Sequence, residues 1–262
     1  MQRGRIFVEK MNGEKEPYNP DKLRKSLRNV GADDETASRI MQKVEKILYN
    51  GIKTKELFRF IHKELRKSEP GPGLRYNLKR AMMELEINGG FVFEKFVGKL
   101  LEKQGYSIKM NQIVRGENVT HEIDVSAAKG KERLMVEVKH HDREGIGESI
   151  QTALYVYARF LEVRRKYTKP MLVTNTKFSD QSTEYSRGVG IRLMGWKYPY
   201  GDSLEENITK YGLYPITLLA LPKEEKVRFM ERNILTLPEL AAQKGISENM
   251  KKQIEAVLKS AS

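Results

Sequence analysis

The chain has 262 residues, 48 of them Lys or Arg against 35 Asp or Glu, and no cysteine. That absence excludes disulfides, thiol catalysis and a cysteine-ligated zinc site, and the formal charge of +13 suits a polyanionic partner. No apolar run has membrane-spanning length and no charged-then-apolar signal follows Met1, so a cytoplasmic protein with no membrane partner is expected.

The charge is uneven. It is +7 over residues 1–90 (20 basic, 13 acidic), +6 over 91–200 (19 basic, 13 acidic) and zero over 201–262. The positive field lies on the first two segments, as phosphate-backbone binding requires.

In chain order, RIFVEK, a turn at Asn12-Gly13 and KEPY predict a β-hairpin. Four helices follow. The first opens at Pro20 with Asn19 as N-cap, the second near Asp33, the third after Thr54, and the fourth covers 74–87. Lys10 and Lys22, near a strand end and a helix N-terminus, form either an anion pocket or ordinary surface lysines. SEPGPG (68–73) and Asn88-Gly89-Gly90 read as flexible joints, the second as the domain boundary.

GFVFEKFVGKLLEKQGY (90–106) reads as an amphipathic helix, with Glu94 flanking its apolar face and Gly98 leaving room for close approach one turn on. EIDV (122–125) and MVEVKHH (135–141) then alternate as two half-buried strands around the turn AAKGK (127–131). Asp124, Glu137 and Lys139 form the spacing D-x₁₂-E-x-K. A turn centred between Gly130 and Lys131 sets Asp124 opposite Glu137 on one face, with Lys139 beside them and Ile123, Val125, Val136 and Val138 on the other. A solvated charge cluster is one reading. Opposed like charges repel without a cation between them, and all-oxygen ligation suits Mg²⁺, so a metal site is the other.

Gln151 and Tyr155 share one face of the helix within GIGESIQTALYVYARFLEV (145–163), as a local polar pair, a buried tyrosine or part of a site. His140 and His141 read as surface residues. Arg159, Arg164, Arg165, Lys166 and Lys169 form either a DNA-facing patch or a solvated helix end. Residues 169–196 follow a strand, helix, strand pattern. Beyond them a loop, a short helix and helices near 222–231, 236–243 and 247–260 carry no net charge, which favours packing or oligomerisation.

From about Gly90 to Trp196 the chain resembles the PD-(D/E)xK nucleases, and within them the Mrr-like restriction endonucleases; Gln151 and Tyr155 fit the QxxxY signature of the RecB-type branch. Ile123 stands where proline is common in that superfamily. The resemblance implies a restriction-endonuclease-like α/β domain, a central mixed sheet flanked by helices. It also implies hydrolysis of DNA phosphodiesters with Mg²⁺ (or Mn²⁺) held by Asp124, Glu137 and the Val138 carbonyl. Glu94 would assist directly or through water, Lys139 would orient the attacking water, and Gln151 and Tyr155 would position the backbone.

Over about residues 3–88, VEKMNGEKEPYNPDKLRKSL and YNGIKT resemble the ATP-cone domain, an α+β unit of a β-hairpin and four helices. This implies that Lys10 and Lys22 face the phosphates of ATP or dATP, with Glu16, Asn19 and Thr54 around base and sugar; Met11 stands where the family has arginine. No Walker-type GxxxxGK[ST] occurs, so a nucleotide would act as effector.

The expected organisation is an ATP-cone at 1–89, a nuclease domain at 90–200 and a small C-terminal helical extension at 201–262, forming a homodimer. The expected function is a nucleotide-regulated, metal-dependent DNA endonuclease. The alternative is a nucleotide-responsive DNA-binding protein with an inactive nuclease fold.

Overall fold

The computed structural model describes residues 6–10, 13–86 and 91–259. Met11, Asn12 and the joint Asn88, Gly89 and Gly90 lie outside the described residues. The chain forms two compact units. One takes the residues up to Leu78, with Leu218–Ala220 and those from Leu240 on; the other takes Lys79–Thr217 and Leu221–Glu239. Three consecutive domains were expected. The segment 201–262 forms a helical region whose residues are divided between the two units.

In the first unit β1 (Phe7–Glu9) pairs antiparallel with β2 (Lys15–Pro17) and parallel with β3 (Ile52–Lys53). Asn19 caps α1 (Pro20–Asn29), its side-chain oxygen accepting from the Asp21 and Lys22 amides at 2.9 and 3.2 Å. This satisfies amide donors that have no partner within the helix. Asp33 caps α2 (Asp34–Ile47), and α3 (Thr54–Ser68) follows β3 directly. Leu23 and Leu27, then Ala37, Ile40, Met41 and Val44, recur at helical spacing and fill one core with Ile52, Ile61 and Leu65.

The expected fourth helix over 74–87 is instead two short ones, α4 (Pro70–Arg75) and α5 (Leu78–Met83). SEPGPG is no flexible joint. Pro70 starts α4, and a Cβ at Gly73 would lie 2.7 Å from the Arg66 backbone, so glycine permits the close contact with α3. The C-terminal helix Glu248–Lys259 also packs on α4. The buried Arg75 joins these pieces, donating to the Val30 carbonyl at 2.8 Å and the Val257 carbonyl at 2.7 Å.

The second unit continues with α6 (Phe91–Lys103), β4 (Ser107–Arg115), β5 (Thr120–Lys129) and β6 (Glu132–Lys139). Next come β7 (Gly147–Glu148), α7 (Ile150–Val163), β8 (Lys169–Thr174), β9 (Lys177–Phe178), α8 (Asp180–Val189) and β10 (Arg192–Met194). Helices Leu204–Tyr211 and Lys223–Glu231 complete it.

The main sheet runs β10-β8-β6-β5-β4. β4, β5 and β6 form an antiparallel meander, while β6, β8 and β10 are parallel because α7 and α8 supply the crossovers. Ala153, Val156 and Val163 of α7 pack on Val114, Ile123, Met135, Leu172 and Leu193 of the sheet. A two-residue turn at Gly130-Lys131, with Gly130 at φ +56, sets Lys129 opposite Glu132 and Val125 opposite Val136. This is the expected register.

Strict alternation fails at one place. Ile108 and Met110 lie against Gly98 of α6, whereas Val114 on the same strand joins the cluster under α7. Between them Asn111 adopts φ +47, opposite Asp124, and neither residue extends the ladder that flanks them. Ile123, expected to share a face with Val125, therefore packs under α7. A left-handed residue re-aims the strand as a bulge does.

Glu162, near the end of α7, fastens the β4–β5 turn. Its carboxylate accepts from the Asn118 amide at 2.7 Å, the Asn118 side chain at 2.5 Å and the Val119 amide at 3.2 Å. The Asn118 bonds hold its carboxyl down at about 2. A depressed folded value adds stability above the ordinary carboxylate range, and that contribution is lost as pH falls toward 2. Glu162→Gln should therefore melt below wild type at pH 7, and the gap should narrow steadily in melts between pH 4 and pH 2.

Candidate active site

Four carboxylates gather where β5, β6 and α6 meet. Asp124 is half-buried, and its Oδ2 accepts from the Val138 amide at 2.8 Å. Glu137 is buried. Its Oε1 takes a bond from Lys139 Nζ at 2.7 Å, and its Oε2 is bound by Arg159 Nη1. Glu94, half-buried on α6, accepts from Asn111 Nδ2 at 3.2 Å. Glu122 stands exposed one residue pair away on β5.

The electrostatics follow from this crowding. Burial, then the charge of Glu137, pushes the Asp124 carboxyl up to about 7 despite the bond from Val138. Burial also raises Glu94; the bond from Asn111 opposes that shift, and Glu122 and Glu137 add to it. For Lys139 burial works against the charge, but Glu137 and Asp124 outweigh it and raise the ammonium further. Like charges in a desolvated place shift together in this way.

Among the described residues no three His, Cys, Asp or Glu side chains converge on a metal position. The donors available are the carboxylates of Asp124 and Glu137 and the carbonyl of Val138. Two adjoining carboxylates, one of them charged only at some cost, are hard oxygen donors of the kind that Mg²⁺ and Mn²⁺ take. The residues fit a hard divalent cation.

A cavity of about 280 Å³ beside Asp124 is lined by Thr120, His121, Glu122, Tyr155 and Arg159. Tyr155 is exposed and its ring lies 5.3 Å from the Arg159 guanidinium. Gln151, exposed in the first turn of α7, does not line that cavity.

Arg159 corrects the DNA-facing patch. It is 8 % exposed and points inward, its Nη2 also donating to the Glu122 carbonyl. Arg164 and Arg165, by contrast, are exposed and pair with Glu117 at 3.6 and 3.9 Å. The signal for Arg159 was present: it falls four residues after Tyr155 and eight after Gln151, on their face of the helix.

The histidines are not surface residues either. His140 is bonded through Nδ1 to Glu86 at 2.6 Å and through Nε2 to the Met82 carbonyl at 2.9 Å, with its ring 5.2 Å from that of Phe93. His141 Nε2 meets the buried Glu148 at 2.5 Å. Both fix the chain immediately after Lys139, a role that partners remote in sequence conceal.

In the first unit, Glu16 Oε2 lies 3.2 Å from Lys10 Nζ and 3.4 Å from Lys22 Nζ, next to the Asn19 cap. The pairing of Glu9 with Lys53 brings Thr54, first residue of α3, to the end of β1 where Lys10 stands. Lys10 and Thr54 thus stand at one end of the small sheet and Glu16 midway along β2, opposite Val8, while Asn19 follows the other end of β2, the one opposite Phe7. Burial works to raise Glu16, but Lys10 and Lys22 outweigh it and hold the carboxyl below its usual range.

A mixed sheet flanked by helices, with carboxylates and a lysine on its central antiparallel pair, is a restriction-endonuclease-like nuclease domain. Residues 86–197 match the Mrr-type restriction endonuclease family and residues 6–74 match the ATP cone domain, so the chain belongs to the proteins that join these two domains. An uncharacterized protein of Archaeoglobus fulgidus is 43% identical over 129 residues, covering 49% of this chain and 74% of that protein. The crystal structure of AF1548, a protein of unknown function, is similar at 35% identity with a TM-score of 0.54, covering 65% of this chain and 95% of that one. Among the described residues no helix is long and apolar enough to cross a membrane.

Proposed function

We propose that the chain is a metal-dependent endonuclease of DNA whose activity is set by an adenine nucleotide on its ATP cone. The observation that carries this reading is the convergence of Asp124, Glu137 and Lys139 on one strand pair, with Glu94 beside them.

Asp124, Glu137 and the Val138 carbonyl would hold Mg²⁺ or Mn²⁺. Bound there, the cation would supply Lewis-acid stabilisation of the phosphoryl oxygens and acidify a water. Lys139 keeps its proton and, with a side chain 40% exposed, reaches solvent at the edge of the carboxylates. Its ammonium would orient the attacking water and meet the charge that develops on the phosphate. Glu94, raised by burial, accepts or shares a proton at the same edge. Tyr155, exposed beside the cavity, offers a face and a hydroxyl to the strand being cut. The water oxygen would bond to phosphorus as its proton passes to Glu94 or solvent, and the P–O ester bond would break with the leaving oxygen taking a proton from water.

Labelled DNA and RNA duplexes and single strands, incubated with Mg²⁺ or Mn²⁺, test this reading. DNA should be cut by wild type and spared by Lys139→Ala, which removes an exposed side chain and leaves the fold intact. Binding of DNA without cleavage under every condition would leave the inactive-fold alternative standing.

The nucleotide half rests on Lys10, Glu16 and Lys22, joined by ion pairs, with Asn19 capping the helix that carries Lys22 and Thr54 opening α3. Two ammonium groups beside a helix N-terminus attract phosphates, and Glu16 pairs with both lysines. Titration calorimetry of the full chain should show ATP or dATP binding. Lys10→Ala should weaken it severalfold, since one of the two ammonium groups is then missing from the phosphate side. No heat with ATP, ADP or dATP at millimolar concentration would remove the effector role.

A further inference from the structure

Both oxygens of Glu137 are engaged, Oε1 by Lys139 and Oε2 by Arg159, so a cation that ligates this carboxylate meets a positive group beside either oxygen. The lysine side chain is 40% exposed and can swing into solvent; that of Arg159 is 9% exposed and is enclosed by its contacts. Its Nη2 donates to the Glu122 carbonyl, and its guanidinium lies over the Tyr155 ring at 5.3 Å. Its Nε is buried without a partner among the described residues, so its hydrogen bonding is incomplete.

The charges make the competition explicit. Glu94, Asp124 and Glu122 surround Glu137 and its two partners, Lys139 and Arg159. A divalent cation on Glu137 would set a second positive charge against a buried carboxylate that the Arg159 guanidinium already holds. A guanidinium and a dication cannot both stay against Glu137 at low cost. The cavity bounded by Thr120, His121 and Tyr155 adjoins Arg159 and gives the freed side chain somewhere to turn.

Building on the metal-site reading above, we infer that Arg159 is a latch on the metal site. It holds the Glu137 carboxylate in the metal-free protein and is released when a divalent cation binds. It is a positioning residue, acting through Glu137, and it sets the cation concentration at which the site fills.

The test is calorimetric titration of Mg²⁺ alone into the metal-free full chain at pH 8, without nucleic acid or nucleotide. Wild type, Arg159→Met, Arg159→Lys and Asp124→Asn are compared. Arg159→Met keeps the bulk of the side chain and removes its charge, so Mg²⁺ should bind on the order of tenfold more tightly than to wild type, the effect of a full charge a few ångström away at moderate dielectric. Arg159→Lys, with a shorter reach and the charge kept, should bind several-fold more tightly and fold even where the methionine variant does not. Asp124→Asn should show no binding.

Affinity in a folded Arg159→Met protein that equals or falls below wild type would overturn the latch, as would unchanged affinity in Arg159→Lys if only that variant folds. In both cases the metal site itself stands. Absence of Mg²⁺ binding from every protein, wild type included, would overturn the latch and the metal site together.

Discussion

Asp124→Asn is expected to abolish cleavage and, in metal-free buffer at pH 8, to make the protein more stable. Burial and Glu137 push the Asp124 carboxyl from its ordinary 3.8 up to about 7. Between those values the folded state keeps a proton that the unfolded state has lost, so stability falls as pH rises through that window. Above about 7 the whole penalty is present, on the order of 4 kcal/mol at about 1.4 kcal/mol per unit. Asparagine carries no charge and its side-chain oxygen can still accept from the Val138 amide. The variant should therefore melt above wild type at pH 8 and level with it near pH 4. Millimolar Mg²⁺ should reverse the order, since a ligand that binds only the folded state stabilises it and only wild type retains the site. Melts at both pH values, with and without Mg²⁺, check all three statements.

Glu137 should behave in the opposite sense. Glu137→Ala leaves the guanidinium of Arg159 buried without its carboxylate, and breaking a buried pair from one side costs about 3–5 kcal/mol. Loss of activity in that variant would mix unfolding with chemistry. Glu137→Gln keeps the volume and one acceptor oxygen, so it should fold and still cut at least about a thousandfold more slowly, the equivalent of about 4 kcal/mol of transition-state stabilisation. Denaturant melts of both variants beside single-turnover cleavage separate the two effects. Glu137→Gln that cuts at the wild-type rate would remove this carboxylate from the site.

The sequence was most informative where chemistry and local geometry coincide. The turn at Gly130-Lys131 can close in only a few ways, so it fixes the register of β5 on β6 and with it the approach of Asp124 to Glu137. The caps at Asn19 and Asp33 mark helix starts through the amides they satisfy. What stayed hidden depends on partners far along the chain. Arg75 meets a carbonyl 182 residues away, so nothing local reveals that Glu248–Lys259 returns to α4. His140 bonds Glu86 and Met82, and only the folded chain shows that this pair of histidines is anchored.

Other misreadings came from composition standing in for position. Arg159 belongs by composition to a basic run, but by helical spacing it belongs with Tyr155, and spacing decides where it points. SEPGPG looks flexible by composition, yet its proline starts a helix and its glycine admits a neighbouring backbone. The break in alternation at Asn111 had one available sign, an asparagine in mid-strand. That residue type tolerates the left-handed region better than most, and here it re-aims the strand opposite Asp124.

The central claim is that the carboxylate–lysine site cuts DNA with a divalent cation under control of the ATP cone. Its most direct test is a supercoiled plasmid incubated with the full chain and Mg²⁺, with product followed across a titration of ATP and of dATP. Nicked and linear DNA that chelator abolishes should appear, at a rate that changes several-fold or more as nucleotide saturates, the effect of a coupling of about 1–3 kcal/mol between the two sites. Intact plasmid at every metal and nucleotide concentration, with protein bound to it, would show that this site does not cut DNA.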